Sequence, residues 1–86
     1  MIVELFSSAF CGPCRTARSV VAQAARLVPQ AHVAEIDVAD DTAHAEAAGV
    51  RSTPTIVVRA EDGTEVFRAA GAPTLPRLLA AMGRAV

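Results

Sequence analysis

Both cysteines of this 86-residue chain, Cys11 and Cys14, lie within the stretch SAFCGPC at residues 8–14. Only Gly12 and Pro13 separate them. A pair at this spacing can form a structural disulfide, provide half of a metal site, or act as a redox centre. In a redox centre one thiolate attacks a substrate disulfide and the second thiolate releases the product. The surroundings of the two sulfurs decide among these chemistries.

A long helix is predicted directly after this stretch, over residues 11–28. Apolar residues recur at helical spacing from Cys14 to Val28, and Pro29 ends the pattern. Pro13 fits the first turn of the helix, where a missing N–H breaks no hydrogen bond. Cys11 is therefore expected at the helix N-terminus, with Cys14 one turn further on.

This position should make the two thiols unequal. Cys11 would face free backbone N–H groups and the positive end of the helix dipole, which favour the thiolate and lower its pKa below the roughly 8.5 of free cysteine. Cys14, on the core side, should be less exposed and less acidic. Side chains at i and i+3 share a helix face, so a disulfide can form between them. We therefore expect Cys11 to be the nucleophile and Cys14 the resolving thiol.

The two other chemistries are weaker alternatives. A disulfide that closes four residues restricts the unfolded chain by only about 2 kcal/mol. Zinc takes four ligands, and neither His32 nor His44 has ligand spacing to the cysteines, so no metal site is predicted within one chain. A metal or cluster shared between two chains stays open as an alternative.

The remaining pattern predicts one α/β domain over residues 1–86, ordered β-α-β-α-β-β-α. Strands are predicted at residues 2–6, 31–38, 55–59 and 65–69. A short helix should begin near Asp40 and Asp41 and end at Gly49, and a last helix should follow Thr74. Asp62-Gly63 predicts a hairpin. The expected architecture is a mixed four-stranded sheet with helices on both faces.

Composition excludes several functional classes. Apolar residues make up 52% of the chain, the net charge is −1, and the eight arginines are scattered, which argues against nucleic-acid binding. The apolar runs are too short to span a bilayer, and the N-terminus has no signal-peptide pattern. We therefore expect a cytoplasmic protein without a membrane partner. Stable disulfides are rare in the cytoplasm.

A second landmark precedes the third strand, in the segment GVRSTPT at residues 49–55. This segment occurs together with CGPC after the first strand, the Asp-Gly hairpin and Gly71. With these features nearly the whole chain resembles the thioredoxins. Its size is that of a minimal thioredoxin or a glutaredoxin. The resemblance implies a thioredoxin fold and a cis Thr53–Pro54 bond, with Pro54 beside the cysteine pair. It implies a substrate groove formed by Phe10, Gly12, Pro13, Thr53, Pro54, Gly71 and Ala72.

The resemblance also implies an activity, the reduction of protein disulfides. The cofactor would be the Cys11–Cys14 disulfide itself, and the partners would be disulfide-containing proteins and a flavoprotein thioredoxin reductase that supplies electrons. A glutaredoxin-like enzyme linked to glutathione is one alternative. A non-catalytic binding or metal module with the same fold is another.

Three positions depart from the family pattern. Phe10 stands where thioredoxins usually have Trp, and Leu5 stands where they bury an Asp below the cysteines. Val33 and Ala34 occupy the region of the Lys that approaches that Asp. The proton of Cys14 must therefore leave through water or another group.

Overall fold

A computed structural model describes all 86 residues. Its seven elements follow the predicted order and are β1 (Ile2–Ser7), α1 (Gly12–Leu27), β2 (His32–Asp37), α2 (Thr42–Ala47), β3 (Thr55–Arg59), β4 (Glu65–Ala70) and α3 (Leu75–Arg84). None of the three helices combines the length and the hydropathy that a bilayer-spanning segment needs.

The four strands form one mixed sheet in the order β2-β1-β3-β4. β1 and β2 are parallel and are connected through α1, whereas β3 runs antiparallel to β1 and to β4. The central strands β1 and β3 are almost entirely buried, and the edge strand β2 is mostly exposed. The predicted four-stranded mixed sheet is confirmed.

The sheet has an apolar core on each face, because successive side chains of a strand point to opposite sides. Val3 and Leu5 of β1 pack in the larger core with α1 and α3, whereas Phe6 packs in the smaller core with α2. The larger core is formed by Met1, Val3, Leu5, Ala17, Val21, Ala24, Ile56, Val58, Leu78, Ala81, Met82 and Ala85. The expected placement of helices on both faces is confirmed.

The helices α2 and α3 begin at the capping residues that the sequence predicted. Asp41 caps α2 by accepting a hydrogen bond from the His44 N–H (N···O 3.1 Å), and Thr74 caps α3 by accepting from the Arg77 N–H (N···O 3.4 Å). Gly49 follows α2 with φ +70°, a conformation that favours glycine. These local signals fix where each helix starts relative to the sheet.

The β3–β4 hairpin carries three side chains with shifted pKa values. The Thr64 N–H donates to the Asp62 carboxylate and lowers the pKa of that group. The hydrogen bond between Arg68 and Glu65 lowers the pKa of Glu65 and raises that of Arg68. Arg68 also donates to the Ala48 carbonyl at 2.6 Å, which fastens β4 to the end of α2.

A buried carboxylate joins β1, β3 and α2, and the sequence pattern did not indicate it. Glu4 is only 7% exposed on the α2 face of the sheet. Its Oε1 accepts from Arg59 Nε and its Oε2 contacts His44 Nε2, both at 2.8 Å. The His44 ring lies edge-on to Phe6, with centroids 5.5 Å apart. His44 is therefore partly packed and has a structural role.

We predict that Glu4→Gln lowers the free energy of unfolding by about 1–2 kcal/mol, because Arg59 and His44 lose their charged partner while the volume is kept. Urea denaturation monitored by circular dichroism measures this loss. Glu46→Gln on the exposed surface of α2 is the control, and it should change stability by less than about 0.5 kcal/mol. Equal effects of the two variants would contradict the role given to Glu4.

Candidate active site

Cys11 occupies the N-cap position of α1, where its backbone is extended (φ −102°, ψ 102°). Its Sγ accepts a hydrogen bond from the Cys14 N–H, with N and S 3.2 Å apart. Pro13 lies between them and has no N–H to donate. A sulfur thus takes the place that Ser or Asp oxygens usually take at a helix start. Negative charge on this sulfur is stabilised by the donated N–H and by the helix dipole.

Cys11 and Cys14 are joined in a disulfide, with their Cα atoms 5.3 Å apart. The Cys14 side chain is fully buried, whereas Cys11 is partly exposed. One sulfur of the pair can therefore be reached from solvent, and the other is covered by the protein. Gly12 and Pro13, in the first turn of α1, are exposed beside the reachable sulfur.

The loop before β3 lies against the segment that leads to Cys11. The Oγ atoms of Ser8 and Thr53 are 2.7 Å apart and form a hydrogen bond between the two segments. The Thr53–Pro54 peptide bond is cis, and Pro54 is buried. The Gly71 N–H donates to the Pro54 carbonyl at 2.8 Å, and Gly71 has φ +92°. Hydrogen bonds therefore join three segments that are distant in sequence, and one of them is the segment that leads to Cys11.

Phe10 has an unusual conformation for a large side chain. Its ring is fully exposed, and its φ of +58° lies in the left-handed region. The ring therefore gains nothing from burial, while its backbone bears strain of the kind that concentrates at functional sites.

Three of the seven predicted groove residues line two pockets that share Ser8. Phe10 and Gly12 line a pocket of about 320 Å³ with Cys11, and Ser8 forms part of its wall. Ser8 and Thr53 line a neighbouring pocket of about 270 Å³. The lining of these two pockets does not include Pro13, Pro54, Gly71 or Ala72. Ala72 is exposed and follows Gly71 in the chain.

At the position where the family resemblance implies a buried carboxylate, this chain has an apolar side chain. Leu5 is 1% exposed within the larger core. Leu5 and Val33 line a groove of about 270 Å³ between α1 and β2. The apolar pair leaves no buried charge at this position.

A polar network that the sequence analysis missed lies on the same face of the sheet. Glu35 Oε2 accepts from the buried Ser7 Oγ at 2.9 Å and from Arg18 Nε at 2.8 Å. The alternation of side chains along the strands could have indicated this network. Ser7 lies two residues after Leu5, and Glu35 is opposite Leu5 in the parallel register, so all three side chains are on one face. The network connects the end of β1 to α1.

The side chains do not assemble a metal site. No group of three or more His, Cys, Asp or Glu residues is close enough to hold an ion. His44 contacts Glu4 on the face of the sheet that carries α2, and His32 is exposed on β2.

The sheet order, the flanking helices and a disulfide at a helix start define a thioredoxin-fold domain with the redox centre of thiol–disulfide oxidoreductases. The family model described as Thioredoxin matches residues 1–84. The chain therefore belongs to the thioredoxin family.

Sequence relatives and solved structures agree with this assignment. The chain is 32% identical over 84 residues to Thioredoxin H4-1 of Oryza sativa subsp. japonica, which covers 95% of this chain and 63% of that protein. It is 37% identical over 57 residues to NADPH-dependent thioredoxin reductase 3 of Arabidopsis thaliana, and these cover 65% of this chain and 11% of the reductase. The chain thus spans less than two thirds of either relative.

Among solved structures, a mutant thioredoxin from Halobacterium salinarum NRC-1 superposes with a TM-score of 0.87 at 35% identity, over 96% of this chain and 72% of that one. The thioredoxin of Fasciola hepatica superposes with a TM-score of 0.84 at 32% identity, over 99% of this chain and 80% of that one. Both support the fold and the family.

We predict that Phe10→Gly raises the free energy of unfolding by about 0.5–1 kcal/mol, because glycine relieves the left-handed strain and no buried area is lost. Chemical denaturation of the oxidised protein measures the change. The neighbouring exposed residue offers a control, since Ala9→Gly adds flexibility without relieving strain and should not stabilise. A destabilised Phe10→Gly variant would show that the ring or its conformation supports the fold.

Proposed function

We propose that the protein reduces protein disulfides through a dithiol relay, with Cys11 as nucleophile and Cys14 as resolving thiol. The observation that supports this proposal is the unequal exposure of Cys11 and Cys14, which are bonded to each other at the start of α1. Cys11 is partly exposed and lines a pocket, whereas Cys14 is fully buried, and it is the Cys11 sulfur that accepts a backbone N–H. A substrate therefore reaches Cys11 first.

The relay moves two electrons from the cysteine pair to the substrate. The Cys11 thiolate attacks one sulfur of the substrate disulfide, a mixed disulfide forms, and the first substrate sulfur leaves as a thiolate. The Cys14 thiolate then attacks Cys11 Sγ, the mixed disulfide breaks, and the second substrate sulfur leaves as a thiolate; both substrate thiolates then take up protons from water. The products are a substrate dithiol and the oxidised Cys11–Cys14 pair.

The loop before β3 would hold the polypeptide on either side of the substrate disulfide. The backbone N–H and carbonyl of Thr53 have no hydrogen-bond partner within the chain, so both are available to an extended peptide. Pro54 would shape this loop. Exposed Phe10, together with Gly71 and Ala72, would provide apolar contacts around the substrate.

In this proposal the disulfide is the only cofactor, and a flavoprotein thioredoxin reductase regenerates the dithiol in the cytoplasm. The similarity to a segment of an NADPH-dependent thioredoxin reductase supports a reductase as the source of electrons. Because Leu5 lies in an apolar core, the proton of Cys14 leaves through water or another group.

Single-cysteine variants test the relay. Cys11→Ser should abolish reduction of a protein disulfide such as that of insulin, because the attacking thiolate is gone. Cys14→Ser should stop after the first step and accumulate a mixed disulfide that mass spectrometry detects and dithiothreitol releases. The double variant is the control for non-specific thiol exchange. Full turnover by Cys14→Ser would contradict the two-thiol mechanism.

Recycling separates this proposal from its closest alternative. The oxidised protein should be reduced by NADPH with a thioredoxin reductase and should react slowly with glutathione. Faster reduction by glutathione would instead assign the chain to a glutathione-linked activity.

A further inference from the structure

The charged residues that line the pocket beside Cys11 are all positive. Its wall combines small or apolar residues with two cations, Arg15 and Arg18, and includes no carboxylate. The chain as a whole has a net charge of −1. The positive charge is therefore local to the reachable sulfur, and it would not be expected from the composition.

Arg18 is held in place by the network under the pocket. Glu35 Oε2 binds Arg18 Nε at 2.8 Å and is itself held by the buried Ser7 hydroxyl at 2.9 Å. Neither terminal nitrogen of Arg18 has an acceptor within the chain, so part of its guanidinium still has donors to offer. Glu35 fixes the orientation of Arg18 and offsets its charge, so Arg18 offers free N–H donors to the pocket while the net positive charge comes from Arg15.

Arg15 lies one turn before Arg18 and has no partner. Its side chain forms neither an ion pair nor a hydrogen bond, and it is exposed. Asp37, at the end of β2, does not line this pocket, and its Oδ1 accepts from the Ala39 N–H. Glu35 is the only carboxylate that forms an ion pair or a hydrogen bond with either arginine.

We propose that Arg15 and Arg18 select disulfide substrates that carry carboxylates next to the reacting cysteine. This inference rests on the proposed function and names the substrate class of the same site. A pocket of about 320 Å³ has room for an acidic side chain while the substrate sulfur contacts Cys11. Guanidinium groups bind carboxylates through paired hydrogen bonds, and a local positive field also speeds encounter with acidic substrates.

The test uses three disulfide-bonded peptide substrates of one length, with acidic, neutral or basic residues flanking the cysteines. kcat/KM is measured for the wild-type protein and for Arg15→Gln, Arg18→Gln and the double variant. Each single variant should lower kcat/KM for the acidic peptide by about three- to fivefold, which is the upper part of the roughly 1.4- to 5-fold range expected for exposed ion pairs. The neutral peptide should change by less than about twofold.

Arg26→Gln is the matched control, because it removes the same charge from the exposed last turn of α1, outside the pocket. It should leave the preference for the acidic peptide unchanged. Raising the salt concentration to about 0.5 M should reduce the preference of the wild-type protein, since exposed charges are then screened. An Arg26→Gln effect equal to that of Arg18→Gln would overturn the inference, because net charge alone would explain both.

Equal reduction of the acidic and basic peptides by the wild-type protein would also overturn the inference, while the proposed function would stand. Failure to reduce any of the peptides would refute the function itself.

Oxidised glutathione also carries carboxylates, so its reduction tests whether the preferred substrate is a small molecule or a polypeptide. Arginine-dependent reduction of oxidised glutathione points to a small disulfide substrate, and arginine dependence limited to the acidic peptide points to a polypeptide. Both results support carboxylate recognition.

Discussion

The hydrogen bond from the Cys14 N–H to Cys11 Sγ is the interaction on which the site depends. It places a sulfur at the N-cap of α1, where the helix offers a free donor and a positive dipole end. The other elements of the fold position Cys11 and Cys14 for this hydrogen bond. β1 ends at Ser7, residues 8–10 turn the chain, and the core side of α1 buries Cys14 against the sheet. The same geometry leaves Cys11 as the sulfur that a substrate can reach.

Much of the fold was predictable because its signals are local. Pro13, Asp41 and Thr74 identify helix starts from residues within one turn, and the Asp62-Gly63 pair identifies the hairpin. Within the site, the spacing of Cys11 and Cys14 predicts a shared helix face and the unequal exposure of the two sulfurs. Each of these inferences needs only residues that are near in sequence, so tertiary contacts do not alter them.

The contacts that were not predictable join distant segments. The contacts of Glu4 with Arg59 and His44 cross from β1 to β3 and α2, and the hydrogen bond between Ser8 and Thr53 spans 45 positions. Strand alternation places a side chain on a face, but it does not name the partner on another element. The left-handed conformation of Phe10 also lacks a local signal, because a large residue rarely adopts it. The partners of Arg18 became evident only in three dimensions.

The apolar Leu5 changes the electrostatics of the site relative to the family pattern. Because Leu5 supplies no carboxylate, the charged groups nearest the disulfide are the N-terminus of α1, Arg15, and Arg18 with its partner Glu35. This arrangement favours anions at the cysteine pair. We therefore expect the helix start, and not a buried acid, to favour the thiolate of Cys11.

The pKa of the Cys11 thiol measures this claim most directly. In reduced Cys14→Ser protein, absorbance of the thiolate near 240 nm can be followed against pH, first in the folded state and then in denaturant. The account predicts a pKa at least about one unit below the roughly 8.5 of free cysteine in the folded protein, and a return to that value on unfolding. A folded-state pKa at or above the free value would show that the helix start does not stabilise the thiolate.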